Sequence, residues 1–226
     1  TMTRSANLSM AFSDEQAMIL DSAQAFCRDK SDGNAVRSLL KSETGFNQDV
    51  WDEMVALGWT GLSIPEQFGG FAMGIGATVP LVESMGRHML CTPYISATIA
   101  AQAIVRGGSE SQQTKWLPAM VQGTIGTLAL LDNEDWGATS TSCVLTGKGD
   151  QLELKGKKLL VHDASVSDFF LVLAQHDGAE VLVIVESSQL ASNAIACKTL
   201  VDETKRAANV DFTGVAIQSD AILPSG

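Results

Sequence analysis

Basic charge is what this chain has least of: 15 Lys and Arg stand against 26 Asp and Glu, a formal net charge of -11 over 226 residues. Neutralising phosphates takes a dense Lys/Arg surface, and none occurs, so nucleic acid is excluded as a partner. The one basic cluster is Lys155, Lys157 and Lys158 around Gly156. It reads either as a local anion site or as the solvated edge of a hairpin. Cysteine is sparse as well. Cys27, Cys91, Cys143 and Cys197 are far apart with no C-x-x-C pair, and His88, His162 and His176 have no metal-ligand spacing. That removes zinc and thioredoxin-like chemistry and predicts no bound metal. No apolar run approaches the roughly 20 residues of a membrane helix, so no transmembrane span is expected. Thr1 to Leu8 is polar and lacks the apolar core of a secretory signal, so the expected address is cytoplasmic.

What is present is a change of period. Up to Gly123 the apolar residues recur at helical spacing; from Ile125 onward they alternate towards two. The switch lies in Leu128 to Ser142, where an acidic turn containing Trp136 and Gly137 opens into a run of hydroxyl side chains. With domains of about 100 to 200 residues, the chain divides into 1–123 and 124–226. The fold class is α+β: an all-helical N-terminal domain followed by an antiparallel β-sandwich or barrel.

Helix starts are written in capping residues. Ser13 with Gln16, and Ser109 with Gln112, form capping boxes, while Asn47 caps a further helix that Gly58 ends. These predict helices over Asp14 to Arg28, from Asn47 to Gly58, Ala77 to Met89, Ser96 to Arg106, and from Ser109 to Gly123, the last bent at Pro118. Ser31 to Phe46 reads mainly as a connector, with a short helix at Ala35 to Leu40. Trp59 to Gly74 is too apolar for an exposed loop and too rich in Gly and Pro for a helix, which predicts a packed loop. Its Gly69-Gly70 has no preceding strand, no G-x-G-x-x-G and no G-K-[ST], so Rossmann and P-loop readings fail. Beyond the switch, strands are expected at Ile125 to Leu131, Ser142 to Thr146, Gln151 to Lys155, Lys158 to His162, Phe169 to Gln175, Val181 to Glu186, Ala194 to Thr199, Asn209 to Phe212 and Val215 to Ser219.

Three segments, in order, carry a family resemblance. Phe12-Ser13-Asp14-Glu15-Gln16, the loop from Gly58 to Gly70 and the helix from Gln112 to Gly123 resemble the acyl-CoA dehydrogenase family of flavoproteins. Leu90-Cys91-Thr92-Pro93-Tyr94-Ile95-Ser96-Ala97 after Met85-Gly86-Arg87 resembles subunits of heteromeric dehydrogenases that act on CoA thioesters of bulky, steroid-like acids. The resemblance implies FAD as cofactor, acyl-CoA as substrate, an electron-transfer flavoprotein as acceptor and a homo- or hetero-oligomer. In such enzymes a glutamate base removes the α-proton and a hydride passes from the β-carbon to the flavin. That base sits on a C-terminal helical bundle expected to be absent from this chain. No catalytic residue is therefore nominated here, the isolated chain is expected to be inactive, and Glu66 and Asp132 read as loop and turn carboxylates.

The family's F-A-x-T-E-P strand end falls on Leu128-Ala129-Leu130-Leu131-Asp132-Asn133, and its K-x-W-I-T-N-G strand on Lys158 to Ala164. The resemblance thus implies cofactor contacts at Leu128, Leu130, Leu131, Leu160, Val161 and His162, through backbone groups. Substrate contacts are implied at Gly137 and Thr139. The chain departs from the pattern at Leu131 and His162, where threonine is expected, and at Leu160, where tryptophan is. Losing the aromatic face costs on the order of 1 kcal/mol. His162 reads either as a donor to the flavin or as a strand-end histidine facing solvent. Two functions follow: an FAD-dependent acyl-CoA dehydrogenase, or a non-catalytic structural subunit of a heteromeric complex with degenerate flavin contacts.

Overall fold

Side-chain caps start the helices. In this computed structural model, which describes residues 12–137 and 140–224, Ser13 Oγ accepts from Gln16 N while Gln16 Oε1 accepts from Ser13 N, opening α1 (Asp14–Lys30). The same reciprocal pair, Ser109 with Gln112, opens α6 (Glu110–Val121), which continues through Pro118. Asn47 caps α3 (Gln48–Ala56), and Gly58 follows it with φ 78°, a conformation that costs glycine little. Asp32 accepts from Asn34 N and Ala35 N and starts α2 (Gly33–Leu40) earlier than expected, so the connector is half helix. The remaining helices are α4 (Val79–His88), entered through a 3-10 turn at Ile75–Thr78, and α5 (Tyr94–Gly107). Among the described residues no helix is long and apolar enough to cross a membrane.

The glycine-rich run between α3 and α4 folds back on itself. Phe71 N, Ala72 N and Met73 N donate to the carbonyls of Gly61, Ile64 and Leu62. Gly70 is required there, because a Cβ would lie 2.0 Å from Ile64 O.

Among the described residues nine strands follow: β1 (Gly126–Ala129), β2 (Val144–Lys148), β3 (Gln151–Lys155), β4 (Lys157–His162), β5 (Phe169–His176), β6 (Ala179–Glu186), β7 (Ile195–Lys198), β8 (Ala207–Asp211) and β9 (Val215–Ile217). They form a six-stranded sheet, in which β1 and β2 pair successive stretches of one edge of β5 and β6 pairs the other, and a three-stranded sheet ordered β4-β8-β7. Most pairings are antiparallel. The exceptions are β1–β5 and β2–β5, which are parallel, so the larger sheet is mixed. The chain reaches β5 from β1 by passing through β2, β3 and β4, a crossover long enough to bring β5 back in the same direction.

Strand β5 joins the two halves. Phe170, Val172 and Ala174 enter the β interior with Phe212 and Val210. Phe169 and Leu171 point the other way, against Ile104, Trp116 and Leu117 of the helices, with the Phe169 and Trp116 rings 4.3 Å apart. Both faces are therefore buried, which is why the strand reads as a continuous apolar run. A separate cluster of α1, α3, α4 and the start of α5, including Trp51, Trp59 and Tyr94, holds the helical half together.

Candidate functional site

The site is built by an irregularity in β4. Lys158 pairs with Val210 and Val161 with Ala208, so one extra residue bulges out between them. Leu160 absorbs the bulge with φ 49°, and its N donates to Asn209 Oδ1 at 3.2 Å. A left-handed leucine costs roughly 1–2 kcal/mol, and such strain tends to collect where a site needs it. Leu159 N donates to Leu131 O at 2.7 Å, which stitches the bulge to the end of β1.

Between this stitched corner and the start of α5 lies a cavity of about 570 Å³. Leu128, Leu130, Leu131, Leu159 and Leu160 form one wall; Ile95 and Ile99 face it from α5. Tyr94 fixes the start of α5 by donating from its buried hydroxyl to Trp59 O at 2.8 Å. Trp136, 73% exposed, stands at the rim. A concave, mostly apolar space with a few polar groups is the usual form of a small-molecule site. A second cleft of similar volume lies between α6 and β9, but its side chains already satisfy one another: Lys115 pairs with Glu186, Ser219 with Asp150, and Gln112 with two carbonyls.

One side chain behind the cavity wall was not legible as part of it. Lys158 is wholly buried; its Nζ donates to Asp132 Oδ1 at 2.6 Å, Thr141 Oγ1 at 2.8 Å and Leu130 O at 3.1 Å. Lys155 and Lys157 are exposed, as a solvated edge requires, and the correction falls on Lys158, which is neither solvated nor open to an anion. The strand phase at Gly156 turns it inward. Burial pushes the Asp132 carboxyl up, but the hydrogen bonds from Lys158, Thr141 and Ser142 outweigh it and hold the carboxyl below its ordinary range. Asp132 is thus a turn carboxylate, as expected, with a structural charge partner.

The polar end of the cavity gathers at Asp163. This residue is left-handed, φ 53°, and pinned: its N donates to Arg206 O, and its O accepts from Ser167 Oγ. Its Oδ2 accepts from Ser96 Oγ at 2.6 Å. Burial pushes the Asp163 carboxyl above its ordinary value, against the Ser96 hydrogen bond and the charges of His162, Lys205 and Arg206. Arg206 is itself spent on structure, donating through Nη2 to the carbonyls of Leu39, Leu40 and Ser42 at the end of α2.

Of the residues singled out by sequence, Leu128, Leu130, Leu131, Leu160 and His162 all line the cavity. Val161 does not; its side chain is 1% exposed within the β core. Gly137 sits on an exposed turn just past Trp136, donating to Asp135 Oδ1, and is not among the lining residues. Thr139 lies outside the described residues. The backbone groups are less available than expected, because Leu130 O, Leu131 O and Leu160 N already have partners. Asp163, Ser96 and Thr92 were missed. Their only sequence signal is a polar residue among apolar neighbours, too common to select them.

The residues fit a flavin ring in chemistry. The leucine wall and the two isoleucines offer apolar faces to a flat aromatic system, and the exposed His162 stands at its edge as a possible donor. Among the described residues no group of His, Cys, Asp and Glu is arranged to hold a metal.

Residues 13–124 match the family model described as acyl-CoA dehydrogenase, N-terminal domain. The chain is 30% identical over 150 residues to acyl-CoA dehydrogenase FadE27 of Mycobacterium tuberculosis, an overlap of 66% of this chain and 39% of that protein. It is 26% identical over 170 residues to (2S)-methylsuccinyl-CoA dehydrogenase of Cereibacter sphaeroides, covering 73% and 30%. Among solved structures, the ChsE4-ChsE5 complex from Mycobacterium tuberculosis superposes with TM-score 0.83 at 22% identity, over 95% of this chain and 58% of that one. A Tcur3481-Tcur3483 steroid ACAD variant gives TM-score 0.82 at 25% identity, over 93% and 57%. The chain spans well under half the length of the two relatives matched by sequence.

Proposed function

This chain belongs to the acyl-CoA dehydrogenase family, and from that premise we propose that its cavity is the helical and β part of an FAD-dependent acyl-CoA dehydrogenase site. The observation that carries the reading is the convergence of Leu128, Leu130, Leu131, Leu160 and His162, from two separate segments, on one apolar cavity facing α5. When bound, FAD supplies the hydride acceptor for α,β-dehydrogenation of an acyl thioester. The chain's own part is to exclude water with the leucine and isoleucine walls, to hold the ring edge with His162, and to keep the rim in place through Lys158 and Asp132. A bulky, steroid-like acyl group, a heteromeric partner and an electron-transfer flavoprotein acceptor are the finer form of this proposal. It is supported by Leu90 to Ala97 and by the likeness to a structure described as a steroid ACAD.

A second reading, a structural subunit with degenerate flavin contacts, is favoured by one observation: where the family has two threonines and a tryptophan, this cavity has Leu131, His162 and Leu160, and Leu160 N is already committed to Asn209. Titration of the purified chain with FAD and dodecanoyl-CoA separates the two. Quenched flavin fluorescence, with the flavin absorbance perturbed but not bleached by the thioester, supports the dehydrogenase site, since the isolated chain is expected to bind without turnover. Binding of the thioester with no affinity for FAD supports the structural subunit. Failure to bind either ligand sinks both.

A further inference from the structure

Trp136 is 73% exposed, belongs to none of the buried apolar clusters and stacks on no other ring among the described residues. Folding gains little from it, so an indole left in water on an acidic turn calls for another partner. The turn holds it in place. Asp132 is clamped by Lys158 and by Ser142 N, Asn133 Oδ1 accepts from Asp135 N at 2.7 Å, and Asp135 Oδ1 accepts from Gly137 N at 3.0 Å. The indole stands at the rim of the cavity, and three more of its lining residues, Leu130 near the end of β1 and Ile95 and Ile99 on α5, are exposed apolar side chains as well. Scattered singly over the surface they would mean nothing; gathered from two elements around one opening, they form a surface built to be covered.

We propose that Trp136 is a specificity-determining residue for the acyl group: its indole lies against a rigid, fused alicyclic ring body seated in the opening, and so favours such acyl groups over open chains. The inference rests on the acyl-thioester reading of the cavity. An open chain can follow the leucine wall and leave the rim wet. A broad ring body in the opening covers Leu130 and Trp136 on one side and Ile95 and Ile99 on the other. It also arrives pre-organised, meeting the flat face of the indole without freezing rotors, whereas every bond of a chain that is ordered at the rim costs entropy. Indole offers a large apolar face with few rotors of its own, so the contact loses little freedom on either side.

The test measures binding of 5β-cholanoyl-CoA and dodecanoyl-CoA to the whole chain by calorimetry, together with acrylamide quenching of tryptophan fluorescence. Trp51, Trp59 and Trp116 are buried, so the quencher reads Trp136. Saturating 5β-cholanoyl-CoA is expected to shield the indole from acrylamide, and FAD alone is not. Trp136→Ala, a change at an exposed position that leaves the fold intact, should weaken 5β-cholanoyl-CoA about tenfold, the effect of covering on the order of 60 Å² of apolar surface, and dodecanoyl-CoA less than about threefold. Trp136→Phe, which keeps an aromatic face, should restore part of the loss. Equal weakening of the two thioesters, or none, overturns the inference while leaving the acyl-thioester reading intact, and so does binding of dodecanoyl-CoA without 5β-cholanoyl-CoA. Shielding by FAD alone overturns it by placing the indole against the flavin, and a bound 5β-cholanoyl-CoA that leaves Trp136 open to acrylamide overturns it by assigning the indole to a protein contact. Binding of neither thioester sinks the acyl-thioester reading and this inference together.

Discussion

Lys158 Nζ lies 2.6 Å from Asp132 Oδ1 with the lysine side chain fully withdrawn from solvent and the aspartate 9% exposed. The pair spans the step from β4 to the turn that follows β1. Because Lys158 also bonds Leu130 O and Thr141 Oγ1, and Asp132 Oδ2 accepts from Ser142 N, four points of the turn hang on one ammonium and one carboxylate. Removing either group leaves a buried charge.

Lys158→Met is therefore expected to destabilise the chain by about 3–5 kcal/mol, the usual penalty for orphaning one member of a buried ion pair. Asp132→Leu added to it should recover most of that loss, since well-packed apolar replacements of such pairs are often neutral. Urea unfolding of both single variants and the double variant gives the coupling energy. A single-variant loss below about 1 kcal/mol would mean that the pair is not what holds the turn.

The same pair sets a pH dependence. Asp132 has a folded value lowered from about 3.8, so its stabilisation is present above that value and is lost as pH falls through the lower folded value. In Lys158→Met the lysine's hydrogen bond and charge are gone, and only the hydrogen bonds from Thr141 and Ser142 are left to oppose desolvation, so the folded value rises towards or past the ordinary one. The stability this site loses on acidification should then shrink, so the slope of stability against pH in the acid range is expected to be shallower in the variant for this contribution. Parallel slopes would show that Asp132 does not depend on Lys158.

Gly126 is the glycine that the β1–β5 pairing cannot do without. A Cβ there would lie 2.3 Å from the Phe169 ring, which is itself locked against Trp116. Gly126→Ala should cost at least about 1–3 kcal/mol by overpacking. Phe169→Leu in the same background should return part of it, read as a rise in melting temperature over the single variant.

Leu160 trades backbone strain for cavity wall. Leu160→Gly relieves a left-handed conformation worth roughly 1–2 kcal/mol but gives up a half-buried side chain of about the same value. Stability should shift by less than about 1 kcal/mol, while affinity for FAD falls severalfold because the wall opens. Unchanged affinity would remove Leu160 from the site.

Local signals were legible in the sequence. Ser13, Asn47 and Ser109 start their helices as read, because a cap is made within three residues of the chain, and the alternation after Ile125 marked every strand to within a few residues. Only Asp32 was passed over, so α2 begins before its expected start. The mixed pairing of β5 was not legible. Parallel and antiparallel neighbours demand the same apolar strand, and only the path of the crossover decides between them.

The site divides in the same way. The family resemblance placed Leu128, Leu130, Leu131, Leu160, Val161 and His162 against one ligand, and the structure brings all of these but Val161 to the lining of a single cavity. The structure decided the rest. Lys158 is as polar as Lys155 and Lys157, and Asp163 looks like any strand-end aspartate; nothing within a few residues of either says where it points. A bulge of one residue in β4 fixes the direction of Leu160, while an inward strand phase buries Lys158. The fold of Arg206 onto α2 fixes Asp163. What the sequence determined by itself is what short-range hydrogen bonding and periodicity encode; burial of a charge depends on segments tens of residues apart arriving together, and only the tertiary structure settles that.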